Sequence, residues 1–263
     1  MKNKLHYLFA VTAFVATTLL FASCEKDYVA PTETITPVVP SISFVEEFNN
    51  VGDLTAKGWI FKNNSRPIGQ SGWRQGRYES ASLVQYKFLA PVPFIGFPAY
   101  SASTSPNDFI SCDASSVNDA LTGTGDISAW LISPQVPMKN GDQIVFYTRA
   151  VFDSDYPVFT RDRMEVRANY ASGGSSDVGN TPTSVGGFTN VLLDINSTYA
   201  NNDPAGYPRA WRKYTINISG LAAPVTNGRF AFRYLAADAG VFGGNGGNYP
   251  SVVGIDSLSF IHP

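Results

Sequence analysis

Two carboxylates stand where a β-strand would bury them. In Ile42–Phe48, Ile42, Phe44, Glu46 and Phe48 share one phase of an extended chain. In Val252–Ile261, Asp256, Leu258 and Phe260 share one phase. A carboxylate on an apolar face must be neutralised, hydrogen-bonded or bound to a metal. First and last strands lie close together in many sandwiches, so Glu46 and Asp256 are placed to share a structural Ca²⁺, completed by loop carbonyls. Asp126, just before Trp130, is a third candidate ligand. The plain alternative, a carboxylate at a sheet end accepting backbone N–H groups, stands equally open.

Aromatic rings are the other chemistry on offer. An apolar ring face stacks on sugar C–H groups while nearby amides and acids take the hydroxyls. Trp73 sits in Ser71-Gly72-Trp73-Arg74-Gln75-Gly76-Arg77-Tyr78, among polar and basic neighbours, and with Tyr78 is a candidate platform that competes with an ordinary core role. Tyr156, Tyr207 and Tyr249 sit in loops beside Asp, Asn or Gly and are candidate groove residues. Trp59, Trp130 and Trp211 fall in strands and read as core.

Catalytic constellations are scarce. His262 is the only histidine beyond the N-terminal leader, which argues against Ser-His-Asp, Cys-His and multi-histidine zinc chemistry. Cys112 reads as a small buried hydrophobe. Gly243-Gly244-Asn245-Gly246-Gly247-Asn248 lacks the Lys-Ser/Thr and the helix of a phosphate loop. Asp153, Asp155 and Asp162 would be the acids of a glycoside hydrolase, but no motif pairs an acid with a base, and beside Arg161 and Arg163 they read as solvated loop residues. No catalytic residue is expected.

The elements that must position these groups read as strands. Ile42–Phe48, Gly58–Lys62, Ala129–Ser133, Gln143–Ala150, Arg163–Asn169, Trp211–Ile218, Arg229–Leu235 and Val252–Ile261 are bounded by Gly, Asn, Asp and Pro. Met164, Val166 and Ala168 alternate with Arg163, Glu165 and Arg167, and Phe230, Phe232 and Tyr234 alternate with Arg229, Ala231 and Arg233. A period of two predicts half-buried antiparallel strands. Asp194 to Tyr199 reads as a turn or a short helix. The long stretches Gln75–Phe97, Phe152–Thr160, Ala171–Asn190, Tyr199–Pro208 and Ala236–Pro250 read as loops, and the Gly/Ser-rich Ala171–Asn190 as a flexible one. Aromatic content of 13% with 15% charged residues fits a packed sheet protein.

The first two dozen residues set the location. Lys2 and Lys4 precede an apolar run from Leu5 to Phe21 that closes on Leu20-Phe21-Ala22-Ser23-Cys24. This looks like the lipobox of a bacterial lipoprotein precursor, which implies cleavage before Cys24 and its acylation. Residues 1–23 then form the signal peptide, 24–40 a lipidated start and Pro-rich tether, and 41–263 one domain. Dropping two lysines from 19 basic residues leaves 17 against 21 acidic, a balance of −4 that argues against nucleic acid. The lipid is the expected contact with the membrane. Cys24-Glu25-Lys26-Asp27-Tyr28 resembles the start of Bacteroidetes-type lipoproteins, which are often displayed on the outer membrane.

The domain as a whole resembles the choice-of-anchor J family, related to cleaved adhesin and MAM-like domains. The landmarks are Phe44-Val45-Glu46-Glu47-Phe48, Gly58-Trp59, Ala129-Trp130-Leu131-Ile132-Ser133-Pro134, Asn140-Gly141-Asp142, Arg161–Val166, Gly228–Tyr234 and Gly254–Phe260. The resemblance implies an all-β jelly-roll sandwich of the galactose-binding-like kind, in an adhesive or carbohydrate-associated, non-catalytic role. The expected partner is a glycan or a surface protein. The alternative is a protein-binding subunit of an envelope complex, which an exposed Phe88–Phe97 stretch would favour. The more distant reading is the glycoside hydrolase.

Overall fold

The computed structural model describes residues 43–78, 82–84, 92–94, 96–101, 104–118, 123–151, 161–201, 204–239 and 250–263. All of these belong to the unit Pro40–Pro263. The strands are β1 (Phe44–Glu46), β2 (Ile60–Asn63), β3 (Arg74–Gln75), β4 (Ser82–Val84), β5 (Val92–Phe94), β6 (Ile110–Asp113), β7 (Gly125–Ile132), β8 (Val136–Met138), β9 (Gln143–Ala150), β10 (Met164–Asn169), β11 (Asn190–Ile195), β12 (Arg212–Asn217), β13 (Val225–Ala239) and β14 (Val252–Ile261). Among the described residues there are only two short 3-10 turns besides, and no helix is long and apolar enough to cross a membrane.

The strands form two six-stranded antiparallel sheets. The first runs β12-β9-β14-β6-β3, with β1 also on β14; the second runs β11-β10-β13-β7-β2, with β8 also on β13. A separate hairpin pairs β4 with β5. The all-β sandwich is therefore as the sequence implies. Gln143–Ala150 and Val252–Ile261 are strands over their expected lengths; the first alternates buried and half-buried residues from end to end, and the second does so on either side of an interruption at Asp256. Ile110–Asp113 and Val136–Met138 escape that signal, being too short to show a period. Asp194 is not in a turn but in β11, and the turn begins at Asn196, whose backbone is left-handed (φ 65°).

The main core lies between the sheets. Ile144 and Phe146 of β9 and Val253, Ile255, Leu258 and Phe260 of β14 meet Leu131 of β7, Val166 of β10 and Phe230 and Phe232 of β13. Trp59 is edge-on to Phe44, Phe48 and Phe230. Such aromatic contacts add about 0.5–1.5 kcal/mol each beyond area burial.

The second sheet is not half-buried as its alternation suggests. Trp130, Ile132 and Ala231 point outward from it and form a second core with Val178 and Phe188. Those two residues come from 171–190, which is therefore an ordered cover and not a loose loop. The sheet catches its carbonyls: Arg229 Nε donates to Gly174 O (2.8 Å), Asn169 Nδ2 to Ser175 O (3.1 Å), Asn64 Nδ2 to Gly179 O (3.0 Å) and Arg167 Nη1 to Phe188 O (3.1 Å). Glu165 lies under this cover, paired with Arg163, Arg167 and Arg233. Burial pushes its carboxyl up, but the Arg167 hydrogen bond and the Arg233 and Arg167 charges outweigh it and hold the carboxyl below its ordinary range.

Candidate functional site

The outward face of the first sheet is only half covered. Gly254 of β14 and Ser111 of β6 lie side by side in its upper part. Phe97, Ala99, Phe109 and Val151 form a small core there, packed with Trp211 and Val252. A Cβ on Gly254 would meet Phe97, Phe109 and Trp211 at 2.8–3.0 Å, so glycine is what lets this cover lie flat on the strand. The Trp211 indole N–H donates to Pro98 O (2.9 Å), and the Arg149 guanidinium sits over Phe97 (4.5 Å). Burial lowers the Arg149 pKa.

Asp256 ends this covered zone. The register shift between Asp256 and Ser259 places Ser257 and Leu258 together opposite one residue of β9, and Ser257 is left-handed (φ 49°). This is a β-bulge. Core residues above it are odd-numbered (Val253, Ile255) and below it even-numbered (Leu258, Phe260). Asp256 therefore shares no face with Leu258 and Phe260, contrary to the uninterrupted period. It points outward under the 97–101 segment. Its carboxylate accepts N–H bonds from Tyr100 (2.8 Å), Ser101 (3.0 Å) and Ser257 (2.7 Å), and the Ser101 hydroxyl at 3.2 Å. Burial pushes the carboxyl pKa up, opposed by these donors.

Glu46 goes elsewhere. It is on the core phase of β1, buried, and accepts the Phe48 N–H (3.1 Å) and the Lys57 ammonium (2.9 Å). Glu47, on the opposite phase, is the acid that meets Asp256: both accept from the Ser101 hydroxyl, Glu47 at 2.6 Å. Asp126 lies in the other sheet and accepts the Asp238 N–H (2.9 Å). A Ca²⁺ ion needs several oxygen lone pairs directed at it. Here donors already occupy the Glu46 and Asp256 oxygens, so these residues do not fit the ion as arranged. Among the described residues no group of three or more His, Cys, Asp or Glu side chains is placed to hold a metal.

Below Asp256 no described segment covers the face. Tyr147 of β9 lies opposite Asp256 on one side and Lys213 of β12 on the other. Tyr100 stacks on Tyr147 with ring centroids 3.7 Å apart and planes at 16°, and is 46% exposed. The neighbouring Tyr147 hydroxyl is the main cause that raises the Tyr100 pKa. The next row is Val45, Ser259, Val145 and Thr215, and the last is Ile261, Gln143 and Asn217. Val45 is 62% exposed and Ile261 39%.

The aromatic candidates divide. Trp73 is core, its indole N–H bonded to Ala129 O (3.1 Å), which corrects its reading as a platform. Tyr207 is likewise buried, its hydroxyl 2.6 Å from Thr148 Oγ1, because the stretch before β12 folds inward against β9. Tyr78 is 39% exposed, and its N–H donates to Asn107 Oδ1 (2.6 Å). Cys24, Tyr156, Tyr249, Asp153, Asp155 and residues 243–248 lie outside the described residues. Asp162 is not a solvated loop acid. It is buried, accepts the Tyr234 hydroxyl (2.7 Å) and the Ser251 N–H (2.7 Å), and has its pKa raised by desolvation. Cys112 is buried, and desolvation pushes its thiol up to about 12, which leaves it inert. The Tyr100–Tyr147 pair was not among the sequence candidates, although the alternation of Gln143–Ala150 points Tyr147 away from the core.

No family model matches this chain, and no curated protein matches it. Several solved structures are similar in fold. The K1 cleaved adhesin domain of Lys-gingipain from Porphyromonas gingivalis is 17% identical, with 84% of this chain and 98% of that one covered and a TM-score of 0.45. The K2 cleaved adhesin domain of Lys-gingipain is 15% identical with the same coverage and TM-score. A module solved in complex with beta-1,4-galactotriose is 9% identical over 83% of this chain and 99% of its own, with a TM-score of 0.34. At such identities and TM-scores, the description of the fold rests on the sheets themselves.

Proposed function

We propose that the chain is a non-catalytic lipoprotein, anchored in the outer membrane through an acylated Cys24 and displayed at the cell surface, whose sandwich binds glycan on the open half of its first sheet. The observation that carries this reading is Tyr100. Its ring is half-exposed, held flat on Tyr147, and fixed through its own backbone N–H to the buried Asp256. Pre-set rings cost little entropy on binding, and hydroxyl and charged groups at Ser101, Glu47 and Lys213 are close by in chain and register. The burial of Asp162 favours the non-catalytic reading, since that acid is spent on Tyr234 and Ser251.

The test is binding of the full chain, in a zwitterionic detergent, to a panel of polysaccharides with Ca²⁺ and with chelator, assaying sugar release alongside. Binding without release, lost in Tyr100→Ala, supports the proposal. Release of sugar, or binding unchanged in Tyr100→Ala, overturns it. No binding across the panel sinks the glycan reading in favour of a protein partner. Binding is expected to be unchanged by chelator, because donors already occupy the Glu46 and Asp256 oxygens.

A further inference from the structure

The open half of the first sheet has a definite size, charge and direction. Strand register sets its rows: Asp256, Tyr147 and Lys213 at the covered upper edge; then Val45, Ser259, Val145 and Thr215; then Ile261, Gln143 and Asn217. Four strands at about 4.8 Å and two open rows below Asp256 at about 6.8 Å make a field of roughly 19 Å by 14 Å, on the order of 260 Å². A stable dimer takes about 800 Å² from each partner, so the field is about a third of what a second copy of this chain would need.

Charge narrows the occupant. The two lower rows hold no ionisable side chain. They offer hydroxyls from Ser259 and Thr215, amides from Gln143 and Asn217, and the aliphatic Val45, Val145 and Ile261. Gln143 Nε2 donates to Asn217 Oδ1 (2.8 Å), which holds both amides in place. Charged groups are confined to the upper row, where Glu47 and Lys213 stand on opposite sides of the Tyr100–Tyr147 stack. A polyanion would meet two rows without a cation and a domain of net negative charge. A chain of neutral rings with alternating C–H and O–H surfaces matches these rows.

Direction follows from the step at the top. Tyr100 rises over Tyr147 as a wall at the end of the strands' open half, so a chain running along the strands would strike it. A chain running across them would lie beside it. An extended sugar chain advances by roughly one strand spacing, about 5 Å, per ring, so four strands offer room for about four rings.

We infer that this face takes a neutral, extended oligosaccharide of about four rings, laid across β1, β14, β9 and β12 with one edge against Tyr100. The inference rests on the glycan reading above and specifies its ligand. Thr215, on the edge strand β12, is then a specificity-determining residue, because it bears on the end ring of the chain.

The experiment is a length series. Cello-, xylo-, manno- and β-1,3-gluco-oligosaccharides of two to six residues, with oligogalacturonates as the charged control, are titrated into the full chain by calorimetry. The expected result in a binding series is an affinity that rises about tenfold or more from two to four rings and is flat from four to six. Thr215→Glu, an exposed edge position, should abolish that gain with the far-UV spectrum unchanged. Equal affinity for two and six rings, a rise that continues to six, tighter binding of oligogalacturonate, or a length gain untouched by Thr215→Glu would each overturn the inference while leaving the glycan reading standing. Polysaccharide binding lost in Tyr100→Ala, with no oligosaccharide of six rings or fewer bound, would overturn the four-ring site alone. No binding in any format overturns the glycan reading itself.

Discussion

The outward faces of the two sheets are built on the same alternating strands and end up opposite in character. On the second sheet, residues 171–190 lie over Trp130, Ile132 and Ala231, and guanidinium and amide groups of the sheet take up their carbonyls. On the first sheet, the cover formed by the described residues is shorter and reaches as far as Asp256, under Tyr100 and Ser101. The lesson is that a buried polar donor on an outward face predicts a covering segment. Arg229, Arg233 and Asn169 are buried donors that require acceptors, and a loop provides them. The open rows of the first sheet carry small hydroxyl, amide and aliphatic side chains that are content in water.

The largest effects should come from breaking the sealed face. Phe188 is fully buried against Trp130 (5.9 Å), so Phe188→Ala should cost about 3–5 kcal/mol in urea unfolding. A loss under about 1 kcal/mol would mean that the cover adds little to the fold. Glu165→Gln leaves Arg163, Arg167 and Arg233 without their shared anion and should cost about 3 kcal/mol or more. The same substitution sharpens the comparison through pH. Because the folded-state pKa of Glu165 is depressed, its contribution is fully present above the unfolded value of about 4.3 and is lost as pH falls through the folded pKa. Melting temperatures measured from pH 7 to pH 3 should therefore fall more steeply in the parent chain than in Glu165→Gln.

Effects on the open face should be smaller. Asp256→Ala strips the acceptor from the Tyr100, Ser101 and Ser257 N–H groups and should cost about 1–3 kcal/mol, with a shift in Trp211 emission as the short cover loosens. An unchanged emission spectrum would show that the apolar contacts of Phe97 and Phe109 hold the cover unaided. Tyr100→Ala should be the mildest for stability, within about 1 kcal/mol, because the ring is half-exposed, and the most severe for ligand binding. A large loss of stability there would recast Tyr100 as part of the packing.

Legibility differs between these regions for physical reasons. Strands with an unbroken period, such as Gln143–Ala150, announce themselves because one face must be buried. Asp256 misleads for the same reason: the left-handed Ser257 inserts one residue into β14, and every position beyond it changes face. Ser carries no mark of that conformation in sequence. Trp73 and Tyr207 look exposed from their polar neighbours, yet both are drawn inward by contacts remote in sequence, with Ala129 and Thr148. Glu47 is missed because it stands out of phase with the apolar face, which is the very reason it reaches Ser101.

Local pattern alone determined the antiparallel strands, the scarcity of catalytic groups and the strands' inward phase as far as the bulge. These depend on composition and on a period of two, which neighbours in the chain already express. The packing of the sheets decided which face is sealed, which acid turns outward and which tyrosine is left in the open. Those outcomes depend on where distant segments supply hydrogen-bond acceptors and apolar cover, and no short window of residues contains that information.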